Sequence, residues 1–187
     1  MTSDSELTGK ILIAMPDMGD PRFAHSVVLI CAHAEDGAMG VVLNKPMQDM
    51  KFAKLLEMLG IEAETPAPNL PVRIGGPVEP VRGFLIHPQT GAEREGTMDI
   101  GSGLAMTTTR DILVELAEGR GPERAMLALG YAGWGPGQLD EEILANGWLT
   151  GEMDPDYAFG ETDQIWMRAL QSLGVDPLSL SGAAGRA

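Results

Sequence analysis

The sequence predicts an α+β fold, with a single domain built on a mixed, largely antiparallel sheet. Short apolar segments rich in β-branched residues dominate the first two thirds of the chain, and turn signals join several of them as hairpins. Helical patterns lie between these segments but do not alternate with them strictly, as a doubly wound parallel sheet would require. The 187 residues suit one domain with a substantial core, and the sequence contains no internal repeat and no long linker.

The N-terminal part predicts three strands. KILIAM, residues 10–15, precedes a loop rich in Pro, Gly and Asp, and HSVVLICAH, residues 25–33, is the strongest strand pattern in the chain. Asp36-Gly37 then predicts a hairpin turn, and the chain returns through residues 38–44. This third strand ends before Pro46, because proline cannot donate to a continuing ladder.

A first helix is predicted over residues 50–59, with Asp49 as its N-cap and Gly60 as its stop. Its apolar residues recur at helical spacing and predict a buried stripe of Phe52, Leu55, Leu56 and Leu59. A connector with three prolines, residues 61–71, is expected to follow on the surface.

The rest of the chain predicts further strands and three more helices. Two short strands, 71–76 and 82–87, surround the Gly75-Gly76-Pro77 turn, and residues 97–107 form another β region. The remaining predicted elements are a helix capped by Thr109 and stopped by Gly119, a strand over 124–133, a short helix over 138–147, a strand over 148–153 and a last helix over 163–173. The domain is expected to span residues 10–175, between a flexible N-terminus at 1–9 and a mobile tail at 176–187.

The charge and the cysteine content restrict the possible functions. The net charge of −14, from 13 basic and 27 acidic residues, disfavours direct binding to nucleic acid or to an anionic membrane surface. No apolar run approaches the roughly 18 residues that span a bilayer, and the N-terminus lacks a secretory pattern. A single cysteine, Cys31, excludes an internal disulfide framework. These features predict a cytoplasmic protein.

Three segments resemble the YqgE/AlgH family, and they occur in the family's order. They are LIAMPDMGDPRFAHSVVLICAHAEDGAMGVVLNKPM, RIGGPVEPVRGFLIHP and LGYAGWGPGQLDEEILANGWL. The resemblance implies a single domain whose mixed sheet curls toward a partial barrel with flanking helices. It also implies the family's label of transcriptional regulator and a link to alginate control, but no reaction, ligand or catalytic residue.

The glycine-rich run GYAGWGPGQLDEEI, residues 130–143, is interpreted as structural. It lacks the spacing of a dinucleotide fingerprint and the Lys-Ser/Thr ending of a P-loop, and its three acids would repel a phosphate from the following helix. The glycines allow a tight bend, while Tyr131 and Trp134 are expected to pack into the core. The short helix would then be anchored by Leu139, Ile143 and Leu144.

The candidate catalytic residues are His33, His87 and Cys31. In an unbroken strand Cys31 and His33 would point to one face, yet no paired zinc-ligand spacing occurs, so neither a metal nor a cofactor is predicted. Cys31 lies among apolar residues, where burial favours an inert thiol. An enzyme site remains the alternative if the fold gathers His33, His87, Cys31 and Asn44.

The leading hypothesis is a non-catalytic regulatory or adaptor protein that binds a protein partner or a small ligand in a groove at the sheet edge. The candidate binding residues are Asp20, Asn44, Arg73, Trp134 and Gln138, and Arg73 and Arg82 bracket a turn where they could bind an acidic group. Methionines near the loop and hairpin ends suggest an adaptable, exposed surface formed by Met15, Met18, Met39, Met47 and Met50. Direct DNA binding, the literal sense of the family label, is disfavoured by the charge and by the lack of a basic recognition helix.

Overall fold

The computed structural model describes residues 7–63, 68–89 and 95–176. The strands in these ranges are β1 (Ile11–Ala14), β2 (Val27–Ala34), β3 (Gly37–Val42), β4 (Val72–Ile74), β5 (Val78–Pro88), β6 (Thr97–Gly101), β7 (Leu104–Thr107), β8 (Met126–Trp134) and β9 (Trp148–Gly151). The helices are α1 (Phe52–Met58), α2 (Arg110–Ala117), α3 (Gln138–Leu144), α4 (Pro155–Phe159) and α5 (Ile165–Ser172).

The described strands form one sheet in the order β6-β7-β5-β8-β3-β2-β1-β9, with β4 beside β8. The β4–β8 pair is parallel, and the other described pairs are antiparallel. The sheet curls into a half-barrel that the five described helices flank. The predicted α+β class, with a mixed and largely antiparallel sheet curled toward a partial barrel, is confirmed.

The two faces of the sheet pack against different helices. On the concave face one core joins Ile11 of β1 to Ile100 of β6, strands far apart in the sheet order, and it includes Tyr157 of α4 and Leu170 of α5. Contact between such distant strands requires a strongly curved sheet. On the convex face α1 and α2 cover β5 and β8 around a second core, and α3 covers β2, β3 and β9 around a third.

Strand β8 changes its inside-outside alternation at Gly130. Leu129 packs in a convex core, yet Tyr131, two residues later, packs against the concave one. Gly130 has a φ of 80° and lies so close to the turn before β5 that an added Cβ would be 2.3 Å from the Gly76 carbonyl oxygen. Glycine is therefore required at this position, and the shift turns the Tyr131 ring to the inside of the half-barrel.

The structure corrects several local predictions. Helix α1 begins at Phe52 with Lys51 as N-cap, so the predicted cap Asp49 is wrong, whereas Gly60 ends the helix region with a φ of 72°. Leu59, predicted in the buried stripe, is 42% exposed. Helix α4 was not predicted, although the Asp154-Pro155 pair is a helix-start signal, and the Asp154 carboxylate accepts a hydrogen bond from the Asp156 amide at 2.9 Å.

The two predicted mobile ends are described only in part. At the N-terminus, Leu7 packs against a convex core and the Gly9 amide donates to the Ile30 carbonyl at 2.8 Å, so residues 7–9 are attached to the sheet. The remainder of the predicted flexible N-terminus, residues 64–67 of the predicted connector, and residues 177–187 of the predicted tail lie outside the described residues.

Candidate functional site

A β-bulge in β2 separates two of the candidate catalytic residues. The register with β3 shifts between Ile30 and Ala32, which leaves Cys31 as the extra residue. Cys31 is 0% exposed in the concave core, whereas His33 pairs with Ala38, which packs in the convex core around Trp134. The prediction that Cys31 and His33 share one face is therefore wrong, because the strand is not continuous.

His87 lies far from His33 along the sheet. It is buried beside β7, with Nε2 2.7 Å from the Thr107 hydroxyl and Nδ1 2.9 Å from the Pro88 carbonyl. Its neighbour Ile86 pairs with the start of β8 at Met126, whereas Ala38, opposite His33, pairs with the end of β8 at Trp134. Met126 and Trp134 are eight residues apart along β8, which corresponds to roughly 26 Å of strand.

Asn44 connects the ends of two strands. Its side-chain oxygen accepts from the Val27 amide at 2.9 Å, and its side-chain nitrogen donates to the His25 carbonyl at 2.8 Å. These bonds hold the start of β2 to the end of β3, at the opposite end of the hairpin from His33. The structure thus does not bring together His33, His87, Cys31 and Asn44.

We expect the Cys31 thiol to be unreactive in the folded protein. Burial raises the pKa of this thiol to about 12, so the reactive thiolate is scarce at about pH 8. Ellman's reagent should release no chromophore in native buffer and one equivalent in guanidinium chloride, since Cys31 is the only cysteine. Rapid reaction of a protein with a native circular dichroism spectrum would contradict this expectation.

Arg73 and Asp20, two candidate binding residues, are engaged in internal contacts. Arg73 is 2% exposed, and its guanidinium donates to the carbonyls of Leu43, Tyr157 and Gly160 at 2.8, 3.0 and 2.7 Å. Burial lowers the pKa of Arg73 to about 10, which still leaves it charged at neutral pH. The Asp20 carboxylate accepts bonds from the Arg22 side chain and amide, and these bonds lower the pKa of Asp20.

Trp134 and Gln138, the other two candidates, meet at one carboxylate. Glu142 Oε1 accepts from the indole nitrogens of Trp134 at 3.1 Å and Trp148 at 2.9 Å, and its Oε2 accepts from Gln138 at 2.9 Å. Trp134 is 7% exposed in a core, which agrees with its predicted packing. Leu144 is 83% exposed, so its predicted anchoring role is wrong.

The prediction of an exposed methionine surface is wrong. All five of its members are half-buried rather than exposed, and four pack directly against the hydrophobic cores: Met18, Met39, Met47 and Met50. Another methionine group, which shares Met39 with the first, is brought together by the fold. Met39, Met98 and Met106 line a cavity on the concave face. Sequence spacing could not identify this group, because its members come from three strands that only the sheet order brings together.

This concave cavity has a volume of about 800 Å³. It lies between the β2–β3 hairpin on one side and β5, β6 and β7 on the other, and neither α4 nor α5 contributes to its walls. The apolar wall is formed by Ala32, Met39, Phe84, Met98 and Met106, and polar residues at its margin include His33, Asp36, Arg82 and Tyr131. Of the predicted site residues, His33 and Trp134 line the cavity where the hairpin ends, although both pack on the convex side, with His33 Nε2 3.7 Å from the Asp140 carboxylate of α3. Asp20, Asn44, Arg73 and Gln138 do not line it.

The side chains of Arg82 and Tyr131 both contact the ring of Phe84. The Arg82 guanidinium lies 5.1 Å from the centre of Phe84, and the Tyr131 ring meets Phe84 edge-on at 5.7 Å. Arg82 also contacts the exposed Glu79 carboxylate at 3.2 Å. Among the described residues, the Tyr131 hydroxyl and the buried His33 Nδ1 have no hydrogen-bond partner. The cavity therefore offers a cation and an unused hydroxyl, that of Tyr131, beside an apolar wall.

The described ranges contain no group of three His, Cys, Asp or Glu side chains placed to hold a metal ion. They also contain no helix that combines the length and apolar character needed to cross a lipid bilayer.

Comparison with known proteins identifies relatives over nearly the whole chain. The AlgH-like family profile (DUF179) matches residues 11–178. A UPF0301 protein from Paracoccus denitrificans is 58% identical over an alignment of 190 residues that covers 100% of both chains. A UPF0301 protein from Ruegeria pomeroyi is 52% identical over 184 residues, 97% of this chain and 100% of that protein.

Solved structures are also similar to this one. The solution structure of the AlgH protein from Pseudomonas aeruginosa has a TM-score of 0.79 and 40% identity, and the match covers 100% of this chain and 97% of that chain. A crystal structure from Corynebacterium diphtheriae has a TM-score of 0.70 and 23% identity over 92% of this chain and 90% of that chain, so it shares the fold. From the family profile, the close relatives and the solved AlgH structure, the protein belongs to the AlgH-like family, as the three motifs in its sequence indicated.

Proposed function

We propose that the protein is a non-catalytic regulator or adaptor that binds a small ligand in the concave cavity. The observation that carries the proposal is the cavity's volume of about 800 Å³ together with its mainly apolar wall. Small-molecule sites commonly enclose roughly 300–1,000 Å³ and combine apolar walls with a few polar groups. Met39, Met98 and Met106 supply flexible, polarizable side chains that adapt to a ligand's shape.

The positions of the candidate reactive groups support binding rather than catalysis. A thiol enzyme needs its nucleophile and base within hydrogen-bond reach, and the nucleophile must be accessible. Cys31 is fully buried beneath the concave face, and its thiol contacts the Leu29 carbonyl at 3.7 Å rather than a histidine. His87 is buried in contact with Thr107, and it does not line the cavity.

A role in regulation is better explained by a ligand or a protein partner than by DNA. The net charge of −14 opposes a phosphate backbone, and Arg82 is the only Lys or Arg among the described residues that line the cavity. We place this activity in the cytoplasm, where a single unpaired cysteine is stable as a thiol. A segment of a partner protein is the alternative occupant of the cavity.

A fluorescent probe tests the proposal. N-phenyl-1-naphthylamine is apolar and uncharged, and its emission increases in apolar sites. We expect saturable enhancement with the wild-type protein, and a loss of affinity of about tenfold or more in Ala34→Trp, because Ala34 lines the cavity at an exposed position where a large side chain can block entry.

Leu144→Trp is the matched control, since it adds the same side chain at a site that is 83% exposed on α3 and outside the cavity. Its affinity for the probe should equal that of the wild type. Amide NMR shifts on probe addition should concentrate at Met39, Met98 and Tyr131. Equal binding by the two tryptophan variants, or no binding by the wild-type protein, would overturn the proposal.

A further inference from the structure

We propose that the ligand of the concave cavity is an amphipathic organic anion, whose charged group binds Arg82 and whose apolar body lies against Met39, Met98 and Met106. This inference rests on the proposed binding function and adds the chemical class of the ligand. A carboxylate, a sulfonate or a phosphate monoester would supply the charged group, since each presents oxygen acceptors to a guanidinium.

The first argument is the position of Arg82, the only Lys or Arg among the described residues that line the cavity. Arg82 lies over the Phe84 ring at 5.1 Å, which holds its guanidinium at the boundary between the apolar wall and solvent. Its present acidic partner is Glu79, at 3.2 Å, and that carboxylate is about half exposed. Exposed pairs of this kind are weak, so a ligand anion can replace or share the contact.

The second argument is a neutral hydrogen-bond donor, the Tyr131 hydroxyl, whose ring contacts the same Phe84 ring as Arg82. The Tyr131 hydroxyl has no hydrogen-bond partner among the described residues, and its ring meets Phe84 edge-on at 5.7 Å. A phenol beside a guanidinium suits an anion with several oxygen acceptors. The one acid among the described lining residues is Asp36, an exposed residue of the β2–β3 hairpin turn. Arg82 belongs to β5, so the proposed anion places its charged group on the β5 side of the cavity and away from the hairpin turn.

The third argument concerns the apolar remainder of the cavity. Met106 is 2% exposed and Met98 is 41% exposed, so the methionine wall extends from the core to the opening. A bare inorganic anion would leave this wall uncovered, whereas an aliphatic or aromatic body would cover it. The overall charge of −14 opposes anions at long range, so any preference for an anion must come from these local contacts.

Two matched probes test the ligand class. 8-Anilino-1-naphthalenesulfonate has the same aromatic frame as N-phenyl-1-naphthylamine and adds a sulfonate. In Arg82→Gln the affinity for the sulfonate probe should fall about tenfold, and the ratio of the two affinities should fall with it. In Glu79→Gln the sulfonate probe should bind severalfold more tightly, because Arg82 loses its competing carboxylate.

Arg120→Gln is the control, because Arg120 is also an exposed arginine paired with acids but lies outside the cavity. Its affinity ratio should equal that of the wild type. Arg82 is about half exposed, so its variant is expected to remain folded, as a thermal melt will verify.

The outcomes separate the two proposals. If the neutral probe binds and Ala34→Trp blocks it, but Arg82→Gln leaves the affinity ratio unchanged, the anion inference is wrong and the binding function stands. If the neutral probe does not bind the wild-type protein, or if both probes bind Ala34→Trp as they bind the wild type, the two proposals fall together.

Discussion

Replacement of Arg73 by methionine is expected to lower the free energy of unfolding by about 3–5 kcal/mol. The guanidinium joins Leu43, at the end of the β3 hairpin, to Tyr157 and Gly160 around α4, through bonds of 2.7–3.0 Å to three carbonyls. Methionine fills much of the volume but donates no hydrogen bond, so three acceptors on the concave side lose their partner. Arg73 therefore attaches the α4 region to the sheet.

Urea unfolding followed by circular dichroism measures this effect as a lower midpoint with an unchanged slope. Arg73→Lys keeps the charge and one or two of the bonds, and should recover part of the loss. Arg120→Met is the control, because that side chain is 59% exposed, and it should change stability by less than about 1 kcal/mol. A loss at Arg73→Met no larger than in this control would show that the three carbonyls are satisfied in another way.

Replacement of Glu142 by alanine is expected to lower the free energy of unfolding by about 2–4 kcal/mol. Its carboxylate accepts from the indole nitrogens of Trp134 and Trp148, which are 7% and 2% exposed. Alanine leaves both donors without that partner and releases Gln138, which in turn holds the Gly135 amide at 2.9 Å. The bend between β8 and α3 should loosen as a result.

Tryptophan emission provides the local measurement, and it should shift to longer wavelength in Glu142→Ala because water gains access to the indole nitrogens. Glu142→Gln retains an acceptor oxygen and should cost about 1 kcal/mol. Glu141→Ala, at the neighbouring exposed position, should cost no more than about 1 kcal/mol through the helix dipole. If Glu142→Ala and Glu141→Ala are equally stable, the hydrogen bonds from the two indole nitrogens contribute nothing to the free energy of unfolding.

Much of the fold could be predicted because its signals are local. The hairpin near Asp36-Gly37, the stop at Gly60 and the cap position at Thr109 depend on neighbouring backbone angles, and the structure contains all three. The turn itself lies one residue earlier than predicted, at Glu35-Asp36, because Gly37 already pairs with Ala34 as the first residue of β3. The predicted cap at Asp49 is wrong although the sequence offers an acceptor there. Asp49 lies in a turn over residues 47–50, and α1 starts only at Phe52.

The candidate site was harder to predict because small backbone irregularities reverse which face a side chain occupies. The bulge at Cys31 places the side chains of Cys31 and His33 on opposite faces of the sheet, and the positive φ of Gly130 turns the Tyr131 ring inward. Neither event changes the hydrophobic pattern enough to be read from one sequence. The sequence indicates Arg82 as a cation beside a turn, but only the structure shows that its guanidinium lies over the Phe84 ring.

The sequence by itself determined the α+β class, the family, the order of most strands and helices, the acidic surface and the lack of paired metal-ligand spacings. The family follows from the resemblance of three motifs, and the other properties follow from composition, from periodicity and from turn chemistry. Only the tertiary structure decided that Met39, Met98 and Met106 share a wall, that Arg82 and Tyr131 meet on Phe84, and that His33 and His87 lie apart. Strand register and sheet curvature set these neighbours, and both depend on contacts between residues distant in the chain.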